Sequence, residues 1–297
     1  MSGNKKIVLL DASIYIFRAY FALPDNWHAA NGYAVNAVYG YTRFLIDLLA
    51  NERPEYIFAA FDESLGSCFR NDIYADYKSS RVLPEPELAF QLNLCQEITQ
   101  ALGVTCKASN TYEADDLLAT VAAQARRRGV SSAVISADKD LVQLLVNDND
   151  YIHDYGRKEP VYTAEIMAES GVHPSRWAEL LAIAGDASDD IPGVPGVGVK
   201  TATKILAAIS FDDVINDPSL LLTTDIRGVK GLVAKLTQYK DQIQLAYQLT
   251  QLKTDSVVEI NWRQTLWQKP AANVADYLEQ LGLKGLGERF ERSNIIK

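Results

Sequence analysis

Three short runs, KKIVLL (5–10), YIFAAF (56–61) and SSAVIS (131–136), are too continuously apolar to alternate between two faces, and each gives way to acidic residues. Such a run reads as a strand inside a parallel sheet that is covered by helices on both sides. The intervening segments agree. AVYGYTRFLIDLLANE (37–52), ELAFQLNLCQEITQALG (87–103) and EADDLLATVAAQARRRG (113–129) carry apolar residues at three-to-four spacing, and the last two stop at Gly103 and Gly129. Strand alternating with helix predicts an α/β domain over a mostly parallel sheet. No internal repeat or low-complexity tract interrupts the pattern.

At 297 residues and 48% hydrophobic content the chain is long enough for one large domain or two modest ones. No apolar run approaches the ~18 residues of a membrane span, and the apolar run in MSGNKKIVLLDAS is too short for a signal peptide. We therefore expect a cytoplasmic protein with no membrane partner. Cys68, Cys95 and Cys106 form no C-x-x-C pair and the three His are scattered, which argues against thiolate or imidazole metal sites.

The acidic residues are placed more informatively. Asp11 follows the first strand, Asp62 the second, and Asp138 and Asp140 the third, all at carboxyl ends, the edge where open α/β sheets bind ligands. Glu113, Asp115 and Asp116 begin a helix, and the sequence leaves open which edge that helix enters from. Asp186 and Asp189, three apart, would share one face of a helical turn. Each piece has a plain structural alternative. Asn110 with Glu113 resembles a capping box, a lone Asp after a strand is usually a turn residue, and Asp138-Lys139-Asp140 reads as an Asx-turn capping the next helix. Together, however, nine carboxylates would repel strongly unless divalent cations neutralised them. Oxygen donors without His or Cys point to magnesium, with manganese as an alternative. Setting those nine aside from 38 acids leaves 29 against 29 bases, so the net charge of -9 no longer excludes a polyanionic partner.

IPGVPGVGVKTATKIL (191–206) has the form of a helix-hairpin-helix. Backbone at Gly193, Gly196, Val197 and Gly198, free amides at the helix start near Thr201, and the charges of Lys200 and Lys204 would bind a phosphate without reading a base. A Gly/Pro turn between two helices is the simpler alternative. Phe69, Tyr74 and Tyr77, interleaved with Arg70, Lys78 and Arg81, would stack bases of a single strand while tracking its backbone; without the carboxylates this run would read as a solvated amphipathic helix.

GDASDDIPGVPGVGVKTA closely resembles a signature of the bacterial 5′ nuclease family, which comprises the 5′ to 3′ exonuclease domain of DNA polymerase I and stand-alone flap-endonuclease relatives. LLDASIYIFRAYFA, NAVYGYTRFL, AAFDESLGSCFRNDIYADYKSSR, YEADDLLAT, ISADKDLVQLL and AYQLTQLKTD resemble further blocks in the family's order, covering roughly residues 5–262. In the tail beyond, ending SNIIK, we expect no polymerase region. The resemblance implies a resolvase-like or PIN-like α/β core over about 1–165, with a helical arch near 66–90. A helical region over 166–297 would follow, with the hairpin near 180–207. It further implies a first metal site at Asp11, Asp62, Glu113, Asp115 and Asp116 and a second at Asp138, Asp140, Asp186 and Asp189. Lys78, Arg81, Tyr77 and Arg18 would be catalytic, Lys78 and Arg81 offsetting charge on the phosphoryl oxygens, and a potassium ion would sit at the hairpin.

The departures are Asp190 where Asn is usual, Asn71 where His is common, and Ser79-Ser80 in the variable gap; the charge of Asp190 would bear on the second site. The implied function is a monomeric structure-specific 5′ nuclease, nucleoid-associated, in replication and repair. It would use two ions roughly 4 Å apart. Substrates would be flapped, nicked or branched DNA and RNA 5′ ends annealed to DNA. Two other readings stand beside it: a DNA-junction binding module with an idle acidic site, and a PIN-like single-strand ribonuclease.

Overall fold

The structure is a computed structural model, and it describes residues 5–29, 32–64, 66–82, 85–256, 260–293 and 295. Residues 83–84 of the expected arch, the first four residues of the chain, Leu65, and Asn294, Ile296 and Lys297 of the terminal SNIIK lie outside the described residues.

Six strands, β1 (Lys6–Asp11), β2 (Tyr56–Ala60), β3 (Thr105–Lys107), β4 (Ser131–Ile135), β5 (Tyr151–His153) and β6 (Val161–Tyr162), form one sheet in the order β3-β2-β1-β4-β5-β6. All pairings are parallel except the β5–β6 pair at the edge. The three apolar runs became the three central strands, buried almost throughout as their composition requires. The sequence reading missed β3, β5 and β6, which have two or three residues each and no apolar run to announce them.

The helices in chain order are α1 (Ala12–Ala22), α2 (Asn36–Glu52), α3 (Phe69–Ile73), α4 (Pro86–Ala101), α5 (Ala114–Arg126), α6 (Thr163–Ser170), α7 (Trp177–Ala184), α8 (Val199–Ala208), α9 (Phe211–Asn216), α10 (Val229–Gln238), α11 (Lys240–Thr250), α12 (Val274–Gln280) and α13 (Leu286–Arg292). Residues of α1, α2 and α4 cover one face of the sheet through Ile16, Leu45, Leu49 and Ile98, while α5 covers the other through Leu117, Leu118 and Val121. Helices α7 to α11 build a third apolar cluster around Leu180, Ile205, Leu236 and Ile243. The hairpin lies between α7 and α8.

Within the region expected at 166–297, the C-terminal segment holds α12 and α13 and packs apart from the cluster that α7 to α11 build. Residues from Ile260 onward return to the α/β core: Trp262 stacks on Tyr56, and Val274, Leu278, Leu286 and Phe290 join the cluster under α2 and α4. Along the way the chain runs beside β3 and the end of α4. The Gln268 N–H donates to the Gly103 carbonyl at 3.0 Å, the Ala271 N–H to Ala101 at 2.8 Å, and the Trp267 indole to Leu102 at 3.0 Å. The strap thus satisfies carbonyls that α4 leaves open at its C-terminal end.

Gly103 is where this strap presses closest. Its φ is +80°, and a Cβ there would lie 2.0 Å from the Gln268 carbonyl oxygen. Gly103→Ala should combine left-handed strain with a backbone clash and lower stability by at least ~2 kcal/mol, several degrees in Tm. Gly129→Ala, at φ +68° with open space around it, should cost only the strain. Equal melting temperatures for the two variants would show that the strap does not press on the core.

Candidate active site

The chain order around β1 sets the location. From β1 it proceeds outward through β2 and β3, then returns to β4 on the other side, so the strand order reverses between β1 and β4. A crevice opens at such a point beyond the carboxyl ends of the strands. Asp11 ends β1 and accepts a hydrogen bond at 2.7 Å from Ser136, which directly follows β4. Asp62 follows β2 and accepts from both the N–H and the hydroxyl of Ser64. The open question about Glu113 is answered by β3: because it runs parallel to β2, the chain leaves it at the same edge, and α5 starts there.

Asp138 accepts the Asp140 N–H at 2.9 Å, the Asx-turn reading, and a 3₁₀ turn (Lys139–Leu144) follows. Asp186 and Asp189 come from the loop after α7. They do not share a helical turn as expected; Asp186 instead pairs antiparallel with Ile191, because Gly185 at φ +81° ends the helix first. The capping box also sits three residues later than expected, with the Glu113 N–H donating to Asp116 rather than Asn110 capping Glu113.

These carboxylates feel one another. Burial first, then the charges of Asp138 and Asp62, push Asp11 up to about 7 despite the bond from Ser136. Burial with Asp138 and Asp11 nearby lifts Asp115 well above the carboxylate range, and burial with Asp138, Asp186 and Asp189 lifts Asp140 to about 7. Asp186 goes the other way: burial alone would raise it, but two hydrogen bonds from Ser188, with the Lys139 charge and the neighbouring Asp140 carboxyl, hold it below the ordinary value. Glu113, Asp115, Asp140, Asp186 and Asp189 line one cavity of about 20 Å³, room for about one water-sized sphere. Two buried oxygens, Asp140 Oδ1 and Asp186 Oδ2, have no hydrogen-bond donor.

Basic side chains meet this cluster from the α3 side. Lys78 Nζ lies 2.5 Å from Glu113 Oε1 and 3.4 Å from Asp189 Oδ2, and Arg81 Nη2 lies 2.6 Å from Asp189 Oδ1. Burial alone would lower the Lys78 pKa, but Glu113 and Asp189 hold it above the usual lysine value. The Tyr77 hydroxyl donates to Glu113 at 2.9 Å. This turn is stitched to the loop after α7. The Lys78 N–H donates to the Asp189 carbonyl, and the Ser80 N–H and hydroxyl both donate to Asp190. Lys78 and Asp190 both have left-handed backbone, at φ 51° and 57°.

Several assignments change accordingly. Among the described residues, the arch expected near 66–90 comprises α3, a turn over 75–80 and the start of α4, and α3 and the turn lie on the cluster through Arg70, Tyr77 and Lys78. Tyr77 is 3% exposed and Phe69 packs against Tyr112, so neither presents a ring for base stacking; Tyr74 is half-buried against the helical cluster. Arg70, expected to touch DNA, is 1% exposed and bound to Glu113 and Asp116. The guanidinium of Arg18 pairs with Asp154 past the end of β5.

In the hairpin, Val197 is buried, and Gly193 lies against Ala184 and Gly185 so closely that a Cβ would meet the Ala184 carbonyl oxygen at 2.2 Å. Both positions serve packing. Gly196 takes φ +75°. Gly198 precedes α8 with open space around it, and Lys200 and Lys204 are exposed, Thr201 half-buried. The sequence reading missed Lys235 and Gln242, which donate to the carbonyls of Pro195 (2.7 Å) and Gly193 (2.6 Å). It also missed the serines that orient Asp62 and Asp186. Their signal is present, since Asp62-Glu63-Ser64 and Asp186-Ala187-Ser188 share an Asp-x-Ser spacing that makes an Asx-turn.

The raised pKa values of Asp11 and Asp140 lead us to expect a contribution to stability that falls as pH rises. Asp11 and Asp140 reach about 7 in the folded state, against about 4 unfolded. Their contribution is complete below pH ~4 and is lost as pH rises through about 7. In EDTA, Tm should therefore fall between pH 5 and pH 8, and Asp11→Asn should raise Tm at pH 8 by several degrees and flatten the profile. A wild-type profile that climbs over that window, or a variant that melts lower at pH 8, would contradict the crowding.

Comparison with known proteins agrees with this arrangement. Residues 6–172 match the family model of the 5′-3′ exonuclease N-terminal resolvase-like domain, and residues 172–273 that of the 5′-3′ exonuclease C-terminal SAM fold. DNA polymerase I of Bacillus caldotenax is 36% identical over 97% of this chain and 32% of its own length, and that of Mycobacterium leprae 43% identical over 67% and 22%. The chain thus spans about a third or less of the length of these relatives. Among solved structures, the T5 D15 protein co-crystallised with metal ions superposes with a TM-score of 0.66 at 17% identity, covering 97% of this chain and 99% of that one. The catalytic core of Rad2 in complex with DNA substrate superposes at 0.63 and 17%, covering 98% and 92%. Those two likenesses establish the fold, a resolvase-like α/β domain joined to a helical one. On the strength of the matched models, the chain belongs to the 5′-3′ exonuclease family.

Proposed function

We propose that this chain is a divalent-cation-dependent 5′ nuclease that hydrolyses phosphodiesters at flapped, nicked or branched DNA and at RNA 5′ ends annealed to DNA. The observation that carries the reading is the convergence, at the reversal of strand order, of carboxylates from both regions of the chain with Lys78 and Arg81 among them. The helix-hairpin-helix belongs to the same loop that supplies Asp186 and Asp189. Backbone N–H groups at the start of α8, with Lys200 and Lys204, suit duplex phosphates.

The donor set fits hard cations. It consists of oxygens alone, two of them buried without a donor, and three carboxylates in it are raised by burial first and by their neighbours' charges second. Asp11, Asp62, Asp115, Asp138, Asp140, Asp186 and Asp189 would hold the ions, with Glu113 between them and Lys78. Among the described residues no three of these side chains already stand at the spacing of a single coordination shell. Magnesium or manganese bound there supplies Lewis acidity toward a phosphodiester oxygen and neutralises its charge. A potassium ion at the hairpin has less support, because Lys235 and Gln242 already meet carbonyls of that turn.

The chain's own residues then divide the work. Tyr77 orients Glu113 through its hydroxyl, Ser13, Ser64 and Ser136 fix the strand-end carboxylates or the backbone beside them, and Ser188 fixes Asp186 in the loop after α7. Lys78 and Arg81, held over the cluster by Glu113 and Asp189, are placed to meet the charge that develops on the phosphoryl oxygens. The division of the chain near residues 165–172, with the final strap and α12–α13 returning to the core, is the domain organisation we propose.

The test is cleavage of 5′-labelled flap DNA with magnesium and with EDTA. We expect cutting only with the ion. Flap binding without cutting would instead identify a junction-binding module, and preferential cutting of single-stranded RNA would identify a ribonuclease. Lys78→Ala should lower the single-turnover rate at saturating flap DNA about 100-fold, ~3 kcal/mol, while binding measured in calcium stays near wild type. Weak binding with near-normal cutting would make Lys78 a steering contact.

A further inference from the structure

The guanidinium of Arg70 has no N–H left over. Nε donates to the Leu249 carbonyl at 2.7 Å, Nη1 to Glu113 Oε2 at 2.8 Å and Asp116 Oδ2 at 2.7 Å, and Nη2 to Asp116 Oδ1 at 2.8 Å and the Gln251 carbonyl at 3.1 Å. Those are all five donors that an arginine possesses. Asp116 is equally committed. Besides the two bonds from Arg70 it accepts the Glu113 N–H at 3.2 Å and the Lys253 N–H at 2.8 Å, and it is fully buried. A carboxylate has about four lone-pair sites, so none remains for a cation.

We propose that Arg70 is a positioning residue, and that Asp116 is its partner in the protein's frame rather than a metal ligand. The pair joins three parts of the chain: α3, which leads into the Tyr77–Lys78 turn; the start of α5, which carries Glu113 and Asp115; and the end of α11 in the helical region. Arg70 holds Glu113 by Oε2, which leaves Oε1 facing Lys78. The position of the cation over the cluster, and the seating of the helical region against it, both depend on one buried fork. A bidentate guanidinium suits this because its planar donors fix orientation as well as distance, which an ammonium does not.

The inference rests on the nuclease reading for its kinetic arm only. Five proteins decide it: wild type, Arg70→Lys, Arg70→Gln, Asp116→Asn, and the double variant Arg70→Gln/Asp116→Asn, whose losses are compared with those of its own two singles. In EDTA, each single variant should melt roughly 5–10 °C below wild type, and the double no lower than the worse single, as for two groups that act as a unit. Additive losses, or an unchanged Tm for Asp116→Asn, would overturn the pairing. With flap DNA, Arg70→Lys should bind in calcium within about threefold of wild type, while its single-turnover rate in magnesium, at a temperature where it stays folded, falls roughly 100-fold. A rate within threefold of wild type would reduce Arg70 to a purely structural role. Affinity lost tenfold with the rate retained would return it to a DNA contact. If Arg70→Lys does not fold, the double variant decides, because it removes both charges; a double that fails to fold while Asp116→Asn alone folds overturns the proposal. If wild type cuts no nucleic acid, the nuclease reading fails while the melting data in EDTA still decide whether Arg70 and Asp116 are coupled.

Discussion

Like-charge repulsion at the end of one sheet is the constraint around which the rest of this structure is arranged. The carboxylates from β1, β2, β4, α5 and the loop after α7 are held in and around a cavity of about 20 Å³, where the surroundings screen their charges poorly. The protein offsets that cost in three ways. Arg70, Lys78 and Arg81 bring positive charge to Glu113, Asp116 and Asp189. Serines and main-chain amides donate hydrogen bonds to Asp11, Asp62, Asp138 and Asp186. Asp11, Asp115 and Asp140 instead keep raised pKa values, from burial first and from the neighbouring carboxylates second.

The helical region takes part in this balance, so the site belongs to neither region alone. Asp186 and Asp189 arrive from the loop after α7, the carbonyls of Leu249 and Gln251 from the end of α11, and the Lys253 N–H from just beyond it. Any movement of the hairpin relative to the sheet would therefore disturb Asp189, and with it Lys78 and Arg81. On the reading proposed above, the hairpin and the reacting centre have to stay in register, and the loop after α7 is continuous with both.

The long elements and the strand-end carboxylates were legible in the sequence because each rests on local pattern: a continuous apolar run, a three-to-four spacing, a glycine at a helix end. What was not legible depends on distant partners. Glu113 could not be placed at an edge because the strand before it has only three residues. Arg70 stands among aromatic and basic residues like a surface contact, yet two of its acceptors lie 179 and 181 residues away along the chain. The return of the chain after Ile260 to the α/β core was hidden for the same reason, since a strap that runs beside a sheet edge and a helix end needs carbonyls to meet rather than an apolar period of its own.

Asp190, the residue that departs from the family's usual Asn, shows why position matters more than the count of acids. Its carboxylate accepts the N–H and the hydroxyl of Ser80 on the outside of the turn, and those bonds hold its pKa low. An amide oxygen would accept the same two donors, so what distinguishes Asp from Asn here is an exposed charge, which water and salt screen heavily. Asp189, one residue earlier, is largely buried between Lys78 and Arg81 and belongs to the cavity lining. Two adjacent aspartates thus do different things: one contributes charge to the cluster, and the other fastens the turn that carries the cations above it.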